Sequence, residues 1–272
     1  MFLPFHQTHL FARHWPIDNP KAVVGIVHGF GEHSGRYAHM AAFLNQHGYA
    51  VTAYDLPGHG QTKGKRGHVD QYETLLDSVQ ALLDFTRTEY PERPVFLFGH
   101  SMGGNILANF LIRRQPAIQG AIVQGAWLNV PYALPKFEIW LAKTMRNILP
   151  SIQVSSKLDV SAVSRDPAVV AAYKADPLNH SVITPGWFFG AYEAQQYAIS
   201  HAAGIQVPTL IMHGTADKIA GVAGSKALYE NGNKALLTVK TWDGLYHEIH
   251  NEPEQQTVFN YMTGWLDSRL AR

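Results

Sequence analysis

The stretch Gly99-His100-Ser101-Met102-Gly103 fits the pattern G-x-S-x-G, with an apolar run, PVFLF, leading into it and a helix-compatible segment leaving it. That context puts Ser101 at a tight strand-to-helix turn, where the backbone is strained and neighbouring elements approach closely enough to require glycine on either side. A serine hydroxyl is a weak nucleophile at neutral pH. It needs a base within hydrogen-bond reach and a carboxylate that fixes the tautomer of that base. When the serine sits on such an elbow, the acid and then the histidine follow it along the chain. Asp217, in His213-Gly214-Thr215-Ala216-Asp217 after the run TLIM, is the expected acid. His247 ends Trp242-Asp243-Gly244-Leu245-Tyr246-His247, again beyond a strand, and is the expected base. Asp243 and His250 are the nearest rivals for these roles. Asp55 also ends a strand but precedes the serine, and reads as a carboxylate that braces a loop.

Attack on an acyl carbonyl creates an oxyanion that needs two fixed donors. The backbone N–H groups of Met102, directly after the serine, and of Phe30, in His28-Gly29-Phe30-Gly31, stand where these donors belong. The same glycines do not cradle phosphate, because no Gly-Lys-Ser/Thr follows and the spacing is not that of a dinucleotide fingerprint. There are no cysteines, which excludes disulfides, thiolate metal sites and a cysteine nucleophile. No group of ligand residues has the spacing of a metal site, so the expected chemistry is acyl transfer without metal or cofactor.

The elements that must position these residues alternate between strand and helix. Apolar runs at Ala22 to Val27, Tyr49 to Tyr54, Pro94 to Phe98, Gly120 to Gln124, Thr209 to His213 and Leu236 to Thr241 read as buried strands. Helical patterns lie between them, around Tyr37 to Leu44, from about Glu73 to Tyr90, from Met102 to Arg114 and from about Val222 to Asn231, with a closing helix from Pro253 to Leu270. This is an α/β chain with a mostly parallel central sheet flanked by helices, the α/β-hydrolase arrangement. The first 20 residues could add one or two antiparallel edge strands. Alternation breaks over residues 126–204, a stretch with scattered prolines and many aromatics, among them Tyr132, Phe137, Trp140, Trp187 and Phe188. It reads as a helical cap inserted into one domain whose core is residues 1–125 and 205–272.

Hydrophobic residues make up 46% of the 272 and charged residues 16%, which suits a packed core and leaves no long polar tract. Lys and Arg number 22 against 21 for Asp and Glu, so no overall field draws the protein onto nucleic acid. The N-terminal stretch lacks the basic-then-apolar pattern of a secretory signal, and no window reaches the roughly 18 charge-free apolar residues of a membrane span. A cytoplasmic location is the default expectation; the oligomeric state is not encoded legibly.

With these residues placed, the chain resembles the monoacylglycerol lipases and related lysophospholipase-like serine hydrolases. The resemblance is carried by the decapeptide His28-Gly29-Phe30-Gly31-Glu32-His33-Ser34-Gly35-Arg36-Tyr37, by Gly58-His59-Gly60-Gln61, by the elbow, by Asp176-Pro177-Leu178, by Gly214-Thr215-Ala216-Asp217 and by Tyr246-His247-Glu248-Ile249-His250. It implies the same triad and oxyanion donors, and a glycerol site near Glu32, Arg36, His100, Tyr173 and His250. Glu32 and Arg36 serve equally well as a pair that holds the oxyanion loop, and His100 as packing at the elbow. The resemblance also implies a cap over an acyl-binding tunnel, with exposed aromatics at its tip assisting transient docking on micelles or membranes. The expected substrate is a monoacylglycerol. A lysophospholipase, a broad esterase and a ligand-binding receptor or scaffold on the same fold are the alternatives.

Overall fold

The computed structural model describes residues 1–129 and 136–271. Tyr132 lies outside the described residues. In chain order the elements are β1 (Phe2–Phe5), β2 (Thr8–Trp15), β3 (Ala22–Val27), α1 (Ala38–Gln46), β4 (Tyr49–Tyr54), α2 (Glu73–Glu89), β5 (Val95–His100), α3 (Met102–Arg114) and β6 (Gly120–Gln124). Then come α4 (Lys136–Ile148), β7 (Val154–Ser155), α5 (Pro167–Ala175), β8 (Val182–Ile183) and α6 (Pro185–Ser200). The chain closes with β9 (Thr209–Gly214), α7 (Val222–Asn231), β10 (Leu237–Trp242) and α8 (Gln255–Leu270).

Eight strands form one sheet in the order β1-β2-β4-β3-β5-β6-β9-β10. β2 runs antiparallel to β4, while β4, β3, β5, β6, β9 and β10 are mutually parallel. Every residue of β3, β4, β5 and β9 is buried, as expected of parallel strands covered on both faces. The two-residue period divides the core in two. Val95 and Leu97 of β5 pack with α2 and α3, whereas Phe96 and Phe98 point to the opposite face, among residues of α1 and α8.

From β3 the chain winds outward to β4, then crosses back to β5 on the other side of β3. Strand order reverses there, and the crevice outside the carboxyl ends of such strands is where ligands bind in open α/β sheets. The loops after β3, β5, β9 and β10 carry Phe30, Ser101, Asp217 and His247, so one sheet edge gathers all four.

Between β6 and β9 the chain forms α4, α5 and α6 together with a small antiparallel pair, in which Val154 faces Ile183 and Ser155 faces Val182. That pair adds two short strands to a stretch otherwise made of helices, and strands of two residues are too short to show any period in the sequence. α6 lies against α3, whose Asn105 and Asn109 donate side-chain N–H bonds to the carbonyls of Ala191 and Ala194 at 3.3 and 3.0 Å. On α4, Phe137 and Trp140 stack on each other 5.9 Å apart and are exposed. Among the described residues no helix is long and apolar enough to cross a membrane.

Candidate active site

Ser101 stands between β5 and α3 with φ 53° and ψ −115°, a conformation that L-residues adopt only under constraint. The constraint is built from both sides. Ser101 N–H donates to Gln124 O at 3.0 Å, and Ser101 O accepts from Asn105 N–H at 3.0 Å and Trp127 N–H at 2.9 Å. A Cβ on Gly103 would stand 2.1 Å from Val27 O, and one on Gly99 would stand 2.5 Å from Gly103 O, so both flanking glycines of the motif are steric requirements.

Ser101 lines a cavity of about 220 Å³ together with Phe30, Met102 and His247. Met102 is the first residue of α3, so its N–H has no partner within the helix. His247 Nδ1 donates to Asp217 Oδ2 at 2.7 Å, and the other carboxylate oxygen accepts from the N–H groups of Ile219 and Ala220 at 2.8 and 2.9 Å. Among the described residues no hydrogen bond joins Ser101 Oγ to His247, although both face the cavity; catalytic contacts of this kind often close only around substrate. Burial alone would lower the pKa of His247, but the Asp217 carboxylate beside it, helped by Glu248 and Glu32, holds it above the ordinary value. Burial would raise Asp217, and the charge of His247 with the hydrogen bonds from His213 and His247 reverses that, keeping the carboxyl well below the usual range. The rival groups are engaged elsewhere. Asp243 accepts from Thr215 Oγ1 at 3.0 Å near the surface, and His250 Nδ1 bonds Gln124 Oε1 at 3.0 Å. Asp55 braces a loop as expected, accepting from Ser34 N–H and Oγ at 2.8 and 2.5 Å and from Gln61 N–H at 2.8 Å.

The five residues of the implied glycerol site divide. Glu32, His100 and Tyr173 line the cavity, whereas Arg36 and His250 stand behind its wall and Glu248 takes a place in the lining instead. Arg36 Nη1 donates to Glu32 Oε2 at 2.5 Å and to Glu248 Oε1 at 2.7 Å, and its Nη2 donates to Glu248 Oε2 at 2.7 Å. Glu32 Oε1 accepts from Gly29 N–H at 2.6 Å and Tyr37 OH at 2.8 Å, so Glu32 does hold the Phe30 loop. Burial opposes the charge on Glu32, yet Arg36 leads the groups that bring its pKa down to about 2. The pKa of His100 is lowered as well, to about 4, by burial and by the neighbouring His247, which for an imidazole favours the neutral form at physiological pH.

Removing Arg36 would leave two buried carboxylates sharing a wall with no cation between them. Arg36→Met is expected to lower unfolding free energy by about 3–5 kcal/mol in urea titration at neutral pH. Because the folded pKa of Glu32 is depressed, its stabilisation is present above pH ~4.5 and disappears as pH falls toward its folded value of about 2. The gap between variant and wild type is therefore expected to narrow in acid, and an equal gap at every pH would contradict this.

The contacts of three residues, Gln124, His33 and His213, escaped the sequence. Gln124 accepts Ser101 N–H on its backbone, while its side-chain Nε2 donates to His247 O at 3.0 Å and its Oε1 meets His250. His33 Nδ1 accepts Gly35 N–H at 3.1 Å, so its Nε2 carries the proton donated to Asp176 Oδ2 at 2.8 Å. That bond ties the Phe30 loop to the segment after α5, joining two motifs the sequence shows as separate. His213 reaches Asp217 from within β9. Its i, i+4 spacing to the acid was the available signal.

The family model described as "Serine aminopeptidase, S33" matches residues 18–254. A monoacylglycerol lipase of Mycolicibacterium smegmatis is 35% identical over 256 residues, 94% of this chain and 91% of that protein. Phospholipase YtpA of Bacillus subtilis is 32% identical, over 94% of this chain and 99% of that protein. The crystal structure of the monoacylglycerol lipase of Paleococcus ferrophilus superposes with a TM-score of 0.88 at 33% identity, covering 96% of this chain and 99% of that one. A hydrolase fold, an elbow serine and near full-length likeness to these proteins agree: the chain belongs to the serine aminopeptidase S33 family and is a serine hydrolase of the monoacylglycerol lipase and lysophospholipase-like group of α/β-hydrolases.

Proposed function

We propose that the protein hydrolyses monoacylglycerols to fatty acid and glycerol, without a cofactor, through an acyl-enzyme on Ser101. Ser101 Oγ adds to the ester carbonyl as His247 Nε2 takes its proton, and the N–H groups of Phe30 and Met102 hold the resulting oxyanion. Collapse breaks the bond to the glycerol oxygen, which leaves with the proton from His247. Water then adds to the acyl carbonyl, giving its proton to His247; collapse frees the fatty acid and returns the proton to Ser101. Residues 126–204 serve as the cap over the acyl chain. The proposed setting is the cytoplasm, with exposed Phe137 and Trp140 on α4 making transient contact with micelles or membranes.

The observation that carries the substrate choice is the make-up of the cavity wall. Two of its charged members, Glu32 and Glu248, are bridged by the guanidinium of Arg36, which leaves that part of the wall with one net negative charge, while Lys157, Asp159 and Lys218 complete the charged lining. Hydroxyls of a neutral head group can donate to such carboxylates. A phosphate brought to about 4 Å from the Glu32 and Glu248 part of the wall is opposed by roughly 1 kcal/mol at the dielectric constant of water and about 4 at a protein-surface value. The apolar part of the wall, including Trp127, Leu158, Val163, Ile183, Phe188 and Ile219, suits an acyl chain. Each CH₂ taken from water contributes about 0.8 kcal/mol, close to fourfold in kcat/KM, until the cavity is full.

The test is glycerol release from 1-monoacylglycerols of increasing chain length, with a lysophospholipid and a p-nitrophenyl ester as comparators. Turnover is expected to rise with chain length to a maximum and to exceed that of the lysophospholipid. Preference for the lysophospholipid would transfer the protein to phospholipase chemistry, and turnover of the activated ester alone would leave a broad esterase.

A further inference from the structure

Asp217 Oδ2 is shared by two imidazoles. His247 Nδ1 approaches it at 2.7 Å from the loop after β10, and His213 Nε2 at 3.1 Å from within β9. His213 is wholly buried, and each of its ring nitrogens has a partner. Nε2 also lies 2.9 Å from Ala220 O, and Nδ1 lies 2.8 Å from Ser225 Oγ on α7, itself fully buried. These partners fix the tautomer. A carboxylate and a carbonyl oxygen only accept, so Nε2 carries the proton; Nδ1 is then bare and takes the hydroxyl proton of Ser225.

We propose that His213, fixed by Ser225, is a positioning residue for the reaction: it shares the negative charge of Asp217 Oδ2 and so sets how strongly that carboxylate holds the proton on His247. The inference rests on Ser101, His247 and Asp217 being the catalytic groups. A purely structural histidine, satisfied by Ala220 O and Ser225, would contribute to folding but leave the basicity of His247 unchanged. The relay has a definite sign. When the His213 N–H is removed, the charge on Asp217 falls more fully on His247, the imidazolium is stabilised, and less neutral base is present at a given pH.

The other groups that face this pair stay in place. Glu248 and Glu32 favour the charged form of His247, while Arg36 and the neighbouring histidines disfavour positive charge on His100 and His250. Lys218, next to Asp217, is turned to Tyr246 OH at 3.4 Å. A change in the acid limb of the rate profile on altering His213 alone therefore reports on Asp217.

The experiment is the pH profile of kcat/KM with a soluble p-nitrophenyl ester for wild type, His213→Leu, His213→Gln and Ser225→Ala, with melting temperatures measured alongside. His213→Leu is expected to lower kcat/KM roughly tenfold at neutral pH, since a hydrogen bond to a charged acceptor is lost, and to move the midpoint of the acid limb upward. Ser225→Ala, which leaves the buried ring in place but frees its tautomer, shifts the midpoint the same way by less. His213→Gln, which keeps an N–H donor and a polar acceptor, restores both rate and midpoint. Should His213→Leu fail to fold, Ser225→Ala and His213→Gln decide between them. An unmoved midpoint in active Ser225→Ala and His213→Leu proteins overturns the proposal, whatever their stability. If Ser101→Ala retained turnover of the same ester, it is the triad, and not the part played by His213, that would have failed.

Discussion

Ser101→Ala is expected to lose on the order of 10⁶ in kcat toward monoacylglycerol, comparable to removal of the nucleophile from other serine hydrolases, with its melting temperature close to wild type. The side chain of Ser101 makes no hydrogen bond among the described residues, and its backbone is held by Gln124 O and by the N–H groups of Asn105 and Trp127. Alanine keeps all three backbone contacts and the same positive φ, so the change removes one reactive atom and little else. Substrate binding survives, because the cavity walls and the N–H groups of Phe30 and Met102 are untouched. The measurement is turnover with calorimetry on the same sample. A loss of activity matched by a fall in melting temperature would mean that the serine is structural, and residual turnover within tenfold of wild type would remove it from the chemistry.

Asp217→Asn is expected to cost on the order of 10⁴ in kcat, for a reason visible in the hydrogen bonds. Asp217 Oδ1 accepts the N–H groups of both Ile219 and Ala220, so an asparagine must keep its carbonyl oxygen there. Its NH₂ group then faces His247 Nδ1, which becomes an acceptor, and the imidazole proton moves to Nε2, the nitrogen required as base. The same NH₂ confronts the donor nitrogen of His213. The variant should fold, bind substrate and fail to take the proton from Ser101. In wild type the depressed pKa of Asp217 gives stability that is present above its ordinary value near 4 and is lost as pH falls. The raised pKa of His247 has the opposite sense: its contribution is complete below the ordinary value of 6.5 and is lost as pH rises through the folded value. Activity and this part of stability therefore change in opposite directions around neutrality, because the base works only when neutral.

The elbow and the strand ends were legible because each depends on local pattern. Among the described residues five strands are buried on both faces, the glycines around Ser101 answer to contacts within a few ångströms, and the loops that follow β9 and β10 announce a carboxylate and a histidine. What stayed hidden depends on residues far apart in the chain. His33 and Asp176 are 143 positions apart and Gln124 and His247 are 123, so no spacing rule links them. Arg36 illustrates a second limit. Its presence beside Glu32 was readable, but that it would stand behind the wall and bring Glu248 into the lining could only be decided by the path of the chain after β10. Within residues 126–204 the β7–β8 pair is set by cross-strand contacts, not by any periodicity of its own.

The most direct measurement is covalent capture by an alkylphosphonate that carries glycerol as its leaving group, followed by peptide mass spectrometry. Attack by Ser101 Oγ on phosphorus expels glycerol and leaves a stable alkylphosphonyl serine, the analogue of the acyl-enzyme. One adduct per chain is expected on the peptide containing Ser101, with one equivalent of glycerol released and monoacylglycerol turnover lost in parallel. An adduct on another residue, or an unmodified Ser101 in protein that turns over monoacylglycerol in the presence of the phosphonate, would contradict the assignment.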